Sequence, residues 1–155
     1  MTKKKYTFID LFAGCGGLSE GFLQTGKFEG LAHIEWEMPM VKTLRQRLID
    51  KWKHSEEDAL KRVIRFDIQK TSELINGKWS EETIKAYGKD NHPSIIDKGL
   101  NGLIKSRTVD LIIGGPPCQA YSLVGRAVKS DNMVGDPRNY LYKLYIEVLK
   151  KYTPT

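Results

Sequence analysis

Tyr6-Thr7-Phe8-Ile9-Asp10-Leu11-Phe12-Ala13-Gly14-Cys15-Gly16-Gly17 is a mostly apolar run that breaks at a cluster of glycines. A short apolar run of this kind, Tyr6–Phe12, predicts a buried strand. The glycines allow a tight turn and a close approach of backbone to a ligand. Leu18–Thr25 predicts a short helix, closed by Gly26 at a left-handed end. Gly30–Trp36 predicts a second strand, Arg62–Phe66 a third ending at Asp67, and Val109–Gly114 a fourth. Pro39 suits the first turn of a helix, where its missing N–H costs nothing. Val41, Leu44, Leu48 and Trp52 then recur at helical spacing as one apolar face. Strands alternating with helices predict an α/β fold with a doubly wound parallel sheet, whose ligands bind beyond the carboxyl ends of the strands. Gly14, Glu35, Asp67 and Cys118 all fall at such ends.

Residues 69–108 read as an inserted helical segment packed beside the sheet. Ser80 followed by Glu81 and Glu82 is an N-cap with acids in the first turn. Ser94, with Ile96, Leu100, Leu103 and Ile104, makes a second short helix. A loop rich in Gly, Ser and Arg runs from Gly115 to about Asp136, and Leu141, Leu144, Tyr145 and Val148 mark a last helix. With 155 residues, 40 % of them hydrophobic and 28 % charged, a single globular domain is expected. No apolar run approaches the roughly 20 residues that span a bilayer. The basic start, Met1–Lys5, meets Asp10 too soon for a secretory signal, so a cytoplasmic location is expected. Two cysteines and three scattered histidines have no metal-ligand spacing, so no metal is expected. The net charge is +6, and residues 119–155 carry six basic against three acidic side chains, which suits a polyanionic partner.

Glu35 stands 21 residues after Gly14, a spacing that suits a carboxylate accepting from a ribose diol. A dinucleotide fingerprint would need glycine at position 19, where Ser19 stands; this speaks against NAD and for a cofactor with ribose but no pyrophosphate. Trp36 offers a surface for an adenine and Asp67 an acceptor for its amine. The plainer alternative is a tight turn, a core tryptophan and a helix-capping aspartate. Gly114-Gly115-Pro116-Pro117-Cys118-Gln119 is the sharpest feature. Two prolines fix φ ahead of Cys118 and hold its thiol just past a buried strand. No histidine is placed to partner it as in a thiol protease; a different use is attack on an electrophilic ring carbon, and the plainer alternative is a structural thiol in a loop. Cys15 is expected to be a buried small hydrophobe.

Phe8–Leu18 (FIDLFAGCGGL), together with Gly115–Ser122 (GPPCQAYS) and Asp136–Leu141 (DPRNYL), resembles the DNA (cytosine-5-)-methyltransferases. The resemblance covers nearly the whole chain apart from residues 69–108. It implies a Rossmann-like fold, S-adenosyl-L-methionine as methyl donor, and double-stranded DNA as substrate with its cytosine flipped out. It also implies that Phe12, Ala13, Gly14, Cys15, Gly16, Gly17 and Leu18 wrap the methionine and ribose side of that cofactor. Glu35 would then hold the ribose, Trp36 would stack on the adenine, and Asp67 with Ile68 would contact the adenine edge. Gly115, Pro117 and Leu141 would complete the wall. Cys118 becomes the nucleophile that adds to cytosine C6, with Gln119, Ser122 and Arg126 on a loop that closes over the DNA.

The family's catalytic domain is about twice this long, so residues 1–155 read as its N-terminal part. The sheet is expected to stop after about four strands, without the later Glu-Asn-Val motif or the target recognition region. Such a chain is expected to be inactive alone, to bind cofactor weakly, and to self-associate through the edge at Val109–Gly114. A bacterial restriction–modification role is what the resemblance suggests. The rival readings are an NAD-dependent oxidoreductase and a non-catalytic module binding nucleic acid or S-adenosylmethionine.

Overall fold

The computed structural model describes residues 4–116 and 140–154. Strand β1 (Tyr6–Leu11) leads through the glycine turn into helix α1 (Gly17–Gln24). Gly26, at φ +69°, reverses the chain into β2 (Phe28–Glu35), which is followed by α2 (Met38–Asp50). An α-helix not anticipated from the sequence, α3 (Glu56–Arg62), precedes the short β3 (Val63–Arg65). Its cap explains it: Ser55 Oγ accepts from Asp58 N–H, and three acids occupy the first turn against Lys61 and Arg62 in the last. The third strand is therefore shorter than expected, and Trp52 packs from beyond the end of α2.

A 3₁₀ turn (Ile68–Lys70), α4 (Thr71–Asn76), α5 (Glu81–Tyr87), a second 3₁₀ turn (Gly88–Asp90) and α6 (Pro93–Ile104) follow. Ser80 caps α5 through Thr83 N–H, whereas His92 rather than a hydroxyl caps α6. Gly99 interrupts α6 with φ +55°, and Gly77 ends the segment after α4 with φ +71°. The two backbones touch there: a Cβ on Gly99 would lie 2.4 Å from Gly77 N, and one on Gly77 would lie 2.4 Å from Asp97 O. Only glycine fits either position. β4 (Leu111–Gly114) and α7 (Leu141–Tyr152) complete the described elements.

The four described strands are all parallel, in the order β3-β2-β1-β4. The order reverses at β1, and ligands of such sheets bind beyond the carboxyl ends of the strands, near the reversal. One face of the sheet packs Val41, Leu44, Leu48 and Ala59 of α2 and α3 against Val63. The other buries Ile9, Leu11, Ile34 and Ile64 under Leu74, Leu100, Leu141 and Val148. β4 lies at the edge of the described sheet, where Tyr145 Oη donates to Ile112 O at 3.0 Å.

The β1–β2 register shifts by one residue between Phe8 and Ile9, so Asp10 faces His33. Both side chains are about 1 % exposed. Ser19 of α1 joins them: its Oγ lies 2.5 Å from Asp10 Oδ2 and 2.9 Å from His33 Nδ1. Burial first of all, then the charges of Arg62 and His54, pulls the His33 pKa down to about 3, so its ring is neutral at pH 7. With Asp10 ionised, the relay runs His33 Nδ1–H to Ser19 Oγ–H to Asp10 Oδ2. Burial raises Asp10 to about 6, opposed by the Ser19 hydrogen bond and aided by Glu35. Ser19→Ala leaves two buried groups without this partner and should cost about 1–3 kcal/mol in urea unfolding at pH 7.

The two titrations oppose each other. The unfolded chain takes a proton on His33 below its ordinary value of 6.5, whereas the fold refuses it down to about 3, so acid removes stability. Folded Asp10 takes its proton at about 6 and the unfolded chain only near 3.8, so acid adds stability in that window. Asp10→Asn should therefore steepen the loss of stability on going from pH 6.5 to 4, read as urea midpoints.

Candidate functional site

At the carboxyl edge of the sheet, the ends of β1 and β2 are tied by one carboxylate. Glu35 Oε2 accepts from Gly14 N–H at 2.8 Å, and Oε1 accepts from Trp36 N–H at 2.8 Å and Glu37 N–H at 2.9 Å. The side chain is largely buried, so the three donors set its orientation as well as satisfying it. Ala13 N–H donates to Ile34 O and Gly16 N–H to Ala13 O, both at 2.9 Å, which closes the turn. Phe12 bends into this turn with φ +61°, a left-handed conformation that costs a bulky residue energy. Its strain sits where the backbone must leave the sheet.

Beyond Glu35 is a cleft of about 560 Å³, including the part open to solvent. Phe12, Glu35, Trp36, Asp67, Ile68 and Leu141 line it, so the structure brings together six of the residues singled out from the sequence. Trp36 is 57 % exposed, which excludes the core-tryptophan alternative. Asp67 does cap a helix, Oδ1 accepting from Gln69 N–H at 2.9 Å, yet its residue still borders the cleft. Ile34, Phe66 and Gln69 also line it and were missed; the last two adjoin Asp67 and Ile68 in sequence, which was the available signal.

The remaining candidates are placed differently. Ala13 is buried beneath α2. Gly14 reaches the site through its N–H and φ +57°, and Gly16 needs φ +83°. Gly17 and Leu18 form the exposed start of α1. Cys15 is exposed, not buried as expected, because the left-handed glycines on either side turn it outward at the tip of the turn. Gly115 is exposed just after β4, whose Gly114 pairs with Leu11. Pro117, Cys118, Gln119, Ser122 and Arg126 lie outside the described residues. Among the described residues no group of three or more His, Cys, Asp or Glu could hold a metal ion, and no helix is long and apolar enough to cross a membrane.

The family profile described as C-5 cytosine-specific DNA methylase matches residues 6–155. The chain belongs to that family. Among the relatives of this methylase-family chain is the Type II methyltransferase M.Bpa9945I of Bacillus paralicheniformis, 35 % identical over 94 % of this chain and 38 % of the relative. Another is the Type II methyltransferase M1.HphI of Haemophilus parahaemolyticus, 31 % identical over 96 % of this chain and 30 % of the relative. The chain thus spans about a third of the length of these relatives. A crystal structure of a prophage-encoded DNA modification methyltransferase from E. coli superposes with TM-score 0.50 and 26 % identity, over 97 % of this chain and 30 % of that one. The doubly wound parallel α/β fold is that of a DNA methyltransferase.

The glycines of the methylase turn divide by steric need. A Cβ on Gly16 would lie 2.4 Å from Leu44 Cδ1, whereas one on Gly17 meets nothing within 4 Å. Gly16→Ala should cost about 1–3 kcal/mol, while Gly17→Ala, inside a helix, should be neutral or add a few tenths. Thermal unfolding of the two variants checks the contrast.

Proposed function

We propose that this chain binds S-adenosyl-L-methionine in the cleft and forms part of an enzyme that methylates C5 of cytosine in double-stranded DNA. One observation carries the cofactor reading: the Glu35 carboxylate is fixed by three backbone donors beside an exposed indole. A carboxylate offers about four acceptor positions, so one remains for a ribose hydroxyl. Exposed Trp36 is the stacking surface for the adenine. The Asp67 oxygen not used by Gln69 N–H is the acceptor assigned to the adenine amine, with Ile68 and Leu141 as apolar walls. Gly14, Gly16 and Gly17 let the methionine portion approach the backbone. Bound there, S-adenosylmethionine would supply an electrophilic methyl group.

Cys118 is the proposed nucleophile. It follows Gly114, the last residue of β4 and the partner of Leu11, by four residues in sequence. Its thiolate adds to C6 of a flipped cytosine, and the electron pair moves to C5, which would take the methyl group as the donor's methyl–sulfur bond breaks and its electrons stay on the departing thioether. Loss of the C5 proton then returns the pair to the ring and expels the thiolate. Gln119, Ser122 and Arg126 are assigned to the loop that closes over the flipped base, with Pro117 and Gly115 behind the cofactor. The Type II relatives support a bacterial restriction–modification setting. We read residues 1–155 as the N-terminal part of a catalytic domain, with 69–108 an insertion, and expect no turnover from them alone.

Calorimetric titration of the chain should show binding of S-adenosylmethionine and none of NAD. Glu35→Gln should weaken that binding about 10- to 100-fold, the worth of a charge-assisted hydrogen bond. Binding of NAD in preference would overturn the reading. A complete methyltransferase containing these residues should be trapped covalently on DNA bearing 5-fluorocytosine, and Cys118→Ser should abolish the adduct. Cofactor binding without any adduct would favour the non-catalytic module.

A further inference from the structure

The outer edge of β3 is not open. Arg65, its last residue, donates its N–H to Asn91 Oδ1 at 2.9 Å, and Asn91 Nδ2 donates back to Arg65 O at 2.8 Å. A side-chain amide thus occupies the position of a further strand. Asn91 is 6 % exposed and is itself held by Tyr87 O at 3.0 Å. The Arg65 side chain continues the link. One terminal N–H donates to Asp90 Oδ2 at 2.5 Å, the guanidinium lies 5.4 Å from the Tyr87 ring centroid, and Nε donates to Trp36 O at 3.2 Å. Arg45 ties Asp90 O and Val63 O together from α2, at 2.7 and 2.6 Å. In register, Arg65 is the partner of Glu35, so its fork reaches the carboxyl end of β2 where the chain turns into the cleft.

We propose that Arg65, clamped by Asp90 and Asn91 of the helical segment, is a positioning residue that holds the Trp36 platform of the cofactor cleft. Trp36 is exposed and no aromatic ring stacks on it among the described residues, so its indole gains little orientation from packing. Its backbone is fixed from two sides instead: the N–H by Glu35 and the carbonyl by Arg65. Arginine suits this place because one planar group serves the two acceptors from separate nitrogens, Nε and a terminal nitrogen, whereas lysine carries its donors on a single nitrogen. The segment 87–91 thereby shapes a ligand surface that none of its own residues lines. This rests on reading the cleft as an S-adenosylmethionine site.

The test uses the whole chain. Arg65→Lys keeps the charge near Asp90 but loses the fork. Its Kd for S-adenosylmethionine should rise about five- to tenfold, in the range of couplings through a neighbouring residue. The indole N–H signal of Trp36, identified by its loss in Trp36→Phe, should shift or broaden without ligand, while those of Trp52 and Trp79 stay in place. Asp90→Asn, which keeps an acceptor but removes the charge, should move the same signal less and serves where Arg65→Lys fails to fold. Arg107→Lys is the structural control. Arg107 makes a two-point ion pair with Glu29, at 2.9 and 2.7 Å, toward the other end of the sheet, and its loss should leave the Trp36 signal and the Kd unchanged. An unmoved Trp36 signal and a Kd within twofold of the parent in the folded Arg65 and Asp90 variants would overturn the proposal. If the parent chain itself takes up no S-adenosylmethionine, the cofactor reading fails, and the Trp36 signal alone decides the clamp.

Discussion

A single carboxylate organises the carboxyl edge of this sheet. Glu35 receives Gly14 N–H on one oxygen and Trp36 and Glu37 N–H on the other, joining two turns that diverge from neighbouring strands. Those N–H groups belong to a turn and a helix start, and Glu35 supplies the acceptors that water would otherwise provide. The same side chain therefore defines the turn and offers its remaining acceptor capacity to a ligand. A glutamine could satisfy only part of this set, because its amide nitrogen donates where three donors already point inward.

Below that edge, the Asp10–Ser19–His33 relay pins α1 against β1 and β2. It works because the register shift near Phe8 sets Asp10 and His33 side by side on one face. Glu20, the next residue of α1, fixes the helix from outside. Arg47 and Trp52 donate to its Oε2 at 2.8 and 3.1 Å, and Gln24 and Lys51 bond to Oε1. These donors hold the Glu20 carboxyl well below the usual carboxylate range, with Arg47 the largest contributor. Two successive residues, one turned inward and one outward, thus fix the helix that follows the glycine turn. The turn can keep a strained φ at Phe12 because both of its ends are anchored.

Much of the fold was readable from residue pattern. Glycines after an apolar run, and an acid at each of the next two strand ends, were enough to assemble the cleft from Phe12, Glu35, Trp36, Asp67, Ile68 and Leu141. What escaped was partly local and partly non-local. Helix α3 is short and mostly charged, so its cap and charge order, not any apolar periodicity, define it. Cys15 followed the rule that free cysteines are buried, but the left-handed glycines around it reverse its direction. Asp10 and His33 looked like isolated polar residues in apolar strands, and nothing linear says that a one-residue shift brings them together. Asn91 was equally silent: an asparagine between two helices gives no hint that it stands in for a missing strand.

Gly77 and Gly99 carry a consequence for how this segment can vary among homologous chains. Each has a left-handed backbone angle that disfavours side chains, and each lies against main chain, Gly77 against Asp97 and Lys98 and Gly99 against Gly77 and Leu74, so neither tolerates a methyl group and no side-chain change would make room. The crossing acts as a knot with fixed ends. Insertions and deletions should accumulate outside the span from Gly77 to Gly99, for instance after Ile104, while that span should vary only as a unit.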